Sequence, residues 1–208
     1  MSYIVHTGNC IKIMQGMEPE SIDCVLTDPP YTGFDLSANT PSNYWEKFEP
    51  YYLEMDRLCN SSKRLSLSAS QPRSQLISDK IGATDTFVIN DAFEDKRGDD
   101  AFFISRNPVV DINNPEHLAY LTTNTLPASP VKKSSHPNAR DIYQMSSIVK
   151  AMTNEGDTIL DPFCGSAAIG IACILLGRHF IGIELLADRA EDARARLKDA
   201  ERIFNQQS

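Results

Sequence analysis

The chain has little that would support a disulfide frame or a metal centre. Its five cysteines, Cys10, Cys24, Cys59, Cys164 and Cys173, are odd in number, form no CxxC pair and sit mostly in apolar surroundings, which predicts reduced, buried thiols. Its four histidines are scattered without ligand spacing, so no metal is expected. No apolar run approaches the roughly 20 residues of a membrane-spanning helix. The first six residues, Met-Ser-Tyr-Ile-Val-His, lack the basic-then-apolar layout of a secretory leader, and a cytoplasmic protein is expected. There is no GxGxxG and no Walker lysine, which disfavours a dinucleotide or a nucleoside triphosphate. Positive charge is also short, with 20 Lys and Arg against 28 Asp and Glu and a net charge of −8. That argues against a broad basic face for nucleic acid but leaves room for a local patch. Lys63, Arg64, Arg73, Lys80, Lys132 and Lys133 do gather in the middle of the chain.

What is present is an ordinary globular composition, 208 residues with 41% apolar, enough for one domain with a proper core. Short apolar runs alternate with amphipathic segments. Tyr3–Val5, Ile22–Leu26, Arg64–Ala69, Thr86–Asn90, Asp157–Leu160 and His179–Ile183 read as strands. Trp45, Phe48, Tyr52, Met55 and Cys59 fall on one helical face. Ile142, Met145, Val149 and Met152 do the same, as do Ala190, Ala193, Leu197, Ala200 and Phe204, whose charged opposite side reads as solvated. Ile11, Met14 and Met17 suggest a helical turn or two, Pro72–Ile81 a helix, and Ser166–Leu176 a helix apolar nearly all round. This βα alternation predicts an α/β fold with a mostly parallel twisted sheet and helices on both faces. Thr32–Asn43 reads as a loop. Residues 91–135 are the least regular part, with short strands suggested at Ala101–Ser105 and Val109–Ile112, and this is where a small inserted target-recognition region is expected.

Two stretches carry chemistry. In Thr27-Asp28-Pro29-Pro30-Tyr31 two consecutive prolines end a buried strand, because neither offers an N–H to a neighbour. The chain must leave as a rigid corner with a carboxylate before it and an aromatic ring after it. An acceptor beside a flat ring suits a planar group bearing an amine, and the Pro29 carbonyl is a second acceptor. The plainer alternative is a Pro-rich turn with a solvated Asp. The second stretch, Asp161-Pro162-Phe163-Cys164-Gly165-Ser166, lies between a strand and a helix, where open α/β sheets bind ligands and a helix start offers free N–H groups. Glu184 closes the next strand, where nucleotide-binding βαβ units place an acid for ribose hydroxyls. Strand, Gly turn, buried helix, strand and acid together form a nucleoside-cofactor signature.

With Gly8-Asn9-Cys10 ahead of these motifs, Asp-Pro-Pro-Tyr before Asp-Pro-Phe-Cys-Gly-Ser, and Gly182-Ile183-Glu184 after them, the chain resembles the β-class amino-methyltransferases of DNA. The resemblance covers roughly residues 3–58 and 136–200. It implies a Rossmann-like methyltransferase fold with circularly permuted motif order, S-adenosylmethionine as cofactor and double-stranded DNA as partner. Asp28, Pro29, Pro30 and Tyr31 would be catalytic, with a flipped-out base stacked on Tyr31 and its amine held by Asp28 and the Pro29 carbonyl. Asn9, Asp28, His136, Asp161, Pro162, Phe163, Gly165, Ser166 and Glu184 would hold the cofactor, its ribose on Glu184. Asp in the first motif position favours adenine N6 over cytosine N4. Cytosine N4, an RNA base, or a non-catalytic nucleic-acid binder are the alternatives. The short variable middle suggests a short target or a homodimer, and the family allows a cognate restriction nuclease.

The sequence departs from the family at three places. Asn9 stands where Asp is usual. Ala167-Ala168 replace Gly-Thr, which calls for a negative φ at Ala167. His136-Pro137-Asn138-Ala139-Arg140-Asp141 shifts the family's basic residue by one position.

Overall fold

A computed structural model of the chain describes residues 1–29, 41–69, 71–89, 101–111, 114–116 and 141–207. The seven strands form one sheet. They are β1 (Tyr3–Thr7), β2 (Ile22–Thr27), β3 (Cys59–Ala69), β4 (Asp85–Ile89), β5 (Ala101–Arg106), β6 (Thr158–Asp161) and β7 (His179–Glu184), in the order β1-β7-β6-β2-β3-β5-β4. β1, β7, β6, β2 and β3 pair in parallel, while β5 runs antiparallel between β3 and β4. The helices are α1 (Cys10–Gln15), α2 (Pro41–Leu58), α3 (Gln71–Ile81), α4 (Ile142–Met152), α5 (Ala168–Leu175) and α6 (Ala187–Gln207).

A parallel sheet must be covered on both faces, so its strands read as continuous apolar runs rather than alternating ones. β2 obeys this: Cys24, Val25 and Leu26 are all fully buried. Successive side chains nevertheless serve different cores. Cys24 and Leu26 pack with Ile159, Phe180 and the apolar sides of α4, α5 and α6. Val25, Leu160 and Ile183 pack with Tyr44, Phe48, Met55 and Leu58 of α2 and Ile77 of α3. The chain leaves β6 toward β7 and leaves β2 toward β3, in opposite directions along the sheet. Between β6 and β2 lies the topological switch point, the crevice where open α/β sheets receive ligands at the carboxyl ends of their strands.

Several boundaries differ from the sequence reading. α2 starts at Pro41, two residues before the end of the expected loop, because proline suits the first helical turn. It ends at Leu58, and Cys59 opens β3, which begins five residues earlier than expected. The strand expected at Val109–Ile112 is not one over Val109–Asp111. The N–H groups of Val109 and Val110 instead donate to the Ala151 carbonyl, at 2.9 and 3.2 Å, closing the last turn of α4. Ala101–Arg106, within the stretch expected to be an insertion, is a strand of the main sheet. All five cysteines are buried thiols, outside any disulfide. No helix among the described residues is long and apolar enough to cross a membrane. The remainder of Thr32–Asn43, most of 91–135, and Pro30, Tyr31, His117, Lys132, Lys133 and His136 lie outside the described residues.

Candidate active site

Asp161 is the last residue of β6 and is 2% exposed. Its Oδ1 accepts the Thr27 hydroxyl from the end of β2 at 2.5 Å and the Phe163 N–H at 3.1 Å. Burial pushes its carboxyl up, the bonds from Thr27 and Phe163 oppose this, and the charges of Asp28 and Glu184 push further, to about 7. The acids that follow β2 and close β7, the strands on either side of β6, therefore both act on Asp161 in the crevice. Like charges gathered in a low dielectric are unfavourable unless a positive group joins them. Among the described residues both donors to Asp161 are neutral, and no group of three or more His, Cys, Asp or Glu is arranged to hold a metal ion.

The turn after Asp161 is held from several sides. The Cys164 N–H donates to the Ile183 carbonyl at 3.0 Å, and the Ala167 N–H to the Cys164 carbonyl at 2.7 Å. Gly182 makes this approach possible, since a Cβ there would come within 2.9 Å of the Cys164 sulfur and 2.8 Å of the Phe180 ring. Gly165 has φ 48°, and among the described residues a Cβ added to it would meet the Phe163 carbonyl at 4.0 Å and nothing nearer. Pro162 and Ser166 are buried. The ring of Phe163 lies 5.7 Å from that of Tyr51 on α2.

Ala167 corrects the expectation of a negative φ. It adopts φ 58°, ψ 37°, the left-handed region, as the residue opening α5. Alanine tolerates this conformation at a cost of roughly 1–2 kcal/mol. The departure from the family's glycine is strained but accommodated.

Glu184 is 8% exposed, and its carboxylate accepts the Leu186 N–H at 2.9 Å. Its carbonyl accepts the Gly8 N–H at 2.9 Å, which brings the Gly8-Asn9 turn against the end of β7. The Asn9 side chain caps α1, accepting the Lys12 N–H at 3.2 Å. Asn and Asp are near-equivalent caps, so this departure keeps the local structure. Asp141, in the third departure, caps α4 by accepting the Tyr143 and Gln144 N–H groups at 2.7 and 3.3 Å. Of the expected site residues, Asn9, Asp28, Asp161, Pro162, Phe163, Gly165, Ser166 and Glu184 converge at the carboxyl ends of β1, β2, β6 and β7, and Pro29 is buried beside them.

Residues not singled out from sequence also reach this region. Arg196 of α6, expected on a solvated face, is 6% exposed and donates to the Ser166 carbonyl; its Nε has no partner. Burial lowers its pKa. Arg194 donates from Nη2 to the Val5 carbonyl at 2.8 Å and to the Thr7 hydroxyl at 2.6 Å, bracing the end of β1. Neither arginine has a sequence signal, since both sit in a run of alternating charge. Arg64, grouped from sequence with a basic patch, is buried in a 2.6 Å pair with Asp157 and is unavailable to a phosphate. Lys80 is exposed, 5.7 Å over the Trp45 ring.

The profile of a family described as DNA methylase matches residues 106–195. That matched segment, under half of the chain, holds the Asp161 turn and Glu184. YubD of Escherichia coli (strain K12), a methylase by name, is 23% identical over 218 residues, covering 96% of this chain and 92% of its own. The type II methyltransferase M.HpaI of Haemophilus parainfluenzae is 23% identical over 227 residues, covering 91% of this chain and 72% of its own. Among solved structures, TTHA0409 from Thermus thermophilus, complexed with S-adenosyl-L-methionine, aligns with a TM-score of 0.68 at 17% identity, covering 97% of this chain and 96% of its own. The cytosine-N4-specific PvuII DNA methyltransferase aligns with a TM-score of 0.66 at 14% identity, covering 99% and 92%. At these identities the structural likeness shows the fold alone.

Proposed function

We propose that this amino-methyltransferase relative transfers a methyl group from S-adenosylmethionine to adenine N6 of a base flipped out of double-stranded DNA. The observation that carries the reading is the meeting of Asp28 and Asp161 at the switch point, one closing the strand before the Pro-Pro corner and the other opening the glycine turn. The residues fit the cofactor on chemical grounds. Asp161, Asp28 and Glu184 make the crevice negative, which suits a ligand carrying a sulfonium and an ammonium, and among the described residues nothing crowds the space beside Gly165. Asp161, Phe163 and Gly165 would hold the amino acid end, Glu184 the ribose hydroxyls, and the Gly8-Asn9 turn the adenine edge. When bound, the cofactor supplies an electrophilic methyl group.

The chain's own part is then positioning. An exocyclic amine is a poor nucleophile because its lone pair is delocalised into the ring. The Asp28 carboxylate and the Pro29 carbonyl accept its two N–H groups, favour a more tetrahedral nitrogen and aim its lone pair. No covalent enzyme intermediate is needed, and orientation with electrostatic stabilisation carries most of the rate. Adenine is favoured by Asp28, where cytosine enzymes tend to have Ser. Cytosine N4 is the second reading, supported by the fold shared with the PvuII enzyme. Target recognition is assigned to the segments on either side of β5 within residues 91–135.

The test is incubation with labelled S-adenosylmethionine and unmethylated genomic DNA, followed by digestion to nucleosides. Label in N6-methyladenosine is expected. Label in N4-methylcytosine keeps the mechanism and overturns the base, and no label in DNA overturns the reading.

A further inference from the structure

Thr27 is the last residue of β2, immediately before Asp28, and is fully buried. Its neighbours Val25 and Leu26 are apolar, and packing at this depth would be served equally by valine, which has the same shape. The hydroxyl has one described use: it donates to Asp161 Oδ1 across 134 positions of sequence. That same oxygen accepts the Phe163 N–H. A single carboxylate oxygen thus receives one bond from the strand that leads into the Pro-Pro corner and one from the turn that follows β6. The ladder between these strands pairs Cys24 with Ile159 and Val25 with Leu160, short of both strand ends. Beyond it the Thr27–Asp161 bond links the two strand ends.

We propose that Thr27 is a positioning residue: through Asp161 it ties the catalytic corner to the cofactor turn, so that base and methyl donor meet in one geometry. The inference rests on the methyltransferase reading and deepens it. A bond made at the strand end has more leverage on the corner than one in the ladder, because the Asp28 and Pro29 backbone follows directly from it. Among the described residues, the groups acting on Asp161 besides Thr27 and Phe163 are Asp28, directly after β2, and Glu184 from β7. The thiols of Cys10 on α1, Cys164 in the turn and Cys173 on α5 in turn feel its charge. Among these the Thr27 hydroxyl is the one side-chain donor, and it favours the carboxylate form.

The test compares Thr27→Val and Thr27→Ser with the wild type in the full-length protein. With DNA and S-adenosylmethionine both saturating, kcat in T27V should fall about tenfold to a hundredfold, the worth of a hydrogen bond to a charged acceptor. KM for the cofactor should change less, and T27S should recover most of the loss. In protein labelled with [13C]aspartate, the Asp161 carboxyl, assigned by its loss in D161N, should titrate at higher pH in T27V and return in T27S. Thr27→Ala replaces the valine variant if that protein does not melt cooperatively. An unchanged kcat, an effect confined to KM, or an unmoved carboxyl titration overturns the proposal. If the wild type transfers no methyl group, the reading beneath it fails instead. The titration then still decides the link: a midpoint moved by T27V supports the tie between the strand ends, and an unmoved one overturns it.

Discussion

The two ends of the same strands treat their acids in opposite ways. At the amino-terminal ends, Asp157 accepts Arg64 Nη1 at 2.6 Å and the Asn154 N–H at 2.7 Å. Asp23 accepts the Asn60 amide at 2.6 Å and the Thr158 N–H at 2.8 Å. Hydrogen-bonding capacity is met there by the protein itself, and for Asp157 the charge is met as well by Arg64, so the result is structural: β2, β3, β6 and the end of α4 are locked together. At the carboxyl ends, Asp161 is met by neutral donors and by the repulsion of Asp28 and Glu184. A buried acid that the fold keeps among other acids is held at an energetic cost. The difference separates an acid whose charge the domain pairs, Asp157, from one it keeps among other acids, Asp161.

The comparison breaks most visibly at Asp28. Asp28→Ala should lower methyl transfer by at least about a hundredfold, the scale for losing a group aimed at developing charge. Cofactor binding, followed by calorimetry, should weaken far less, because Asp161 and Glu184 still keep the crevice negative. Undiminished label transfer would remove Asp28 from the chemistry.

At the other end, Arg64→Leu leaves Asp157 largely buried without its cation and should cost about 3–5 kcal/mol in a urea melt, with the pair only 9% and 16% exposed. A loss below about 1 kcal/mol would mean that the two ends do not differ as argued.

Asp161→Asn should do the reverse, gaining stability while losing cofactor. Because the folded carboxyl is raised from 3.8 to about 7, the native state holds a proton across that window that the unfolded chain has released. Stability contributed by this group is therefore present below about pH 4 and is lost as pH rises through about 7. The variant should be more stable than wild type by on the order of 4 kcal/mol at pH 8, with the gap closing toward pH 4. Chemical melts at the two pH values check this, and a gap independent of pH would refute it.

The smallest effect is expected at Ala167. Ala167→Gly relieves left-handed strain of roughly 1–2 kcal/mol. It gives back about 0.4–1 kcal/mol in chain entropy and about 0.8 kcal/mol for a buried methyl group. The melting free energy should stay within about 1 kcal/mol of wild type, and a larger shift would show that the turn is strained elsewhere.

The order of elements was readable because each strand and helix advertises itself over a few neighbouring residues, as the buried run Ile22–Thr27 and the stripe Trp45–Phe48–Tyr52–Met55 do. The Asp-Pro-Pro corner and the Asp-Pro-Phe turn were readable for the same reason: proline and glycine act on the backbone where they stand. Arg64 was misread because the same guanidinium faces a phosphate or an internal Asp according to what packs over it. Arg196 was misread because a charged helix face says nothing of the turn that will lie against it. Val109 and Val110 look like strand residues and are spent closing a helix.

By itself, then, the amino-acid sequence determined the local chemistry of this chain: where strands stop, which corners are rigid, and that acids stand at three strand ends. Only the tertiary structure decided which acids have partners. It set β5 antiparallel between β3 and β4, placed Arg64 on Asp157, opened α5 through a left-handed Ala167, and brought Thr27 to Asp161. Local features follow from backbone torsions and short-range sterics. Partnership is settled by a sheet order that pairs residues more than a hundred positions apart.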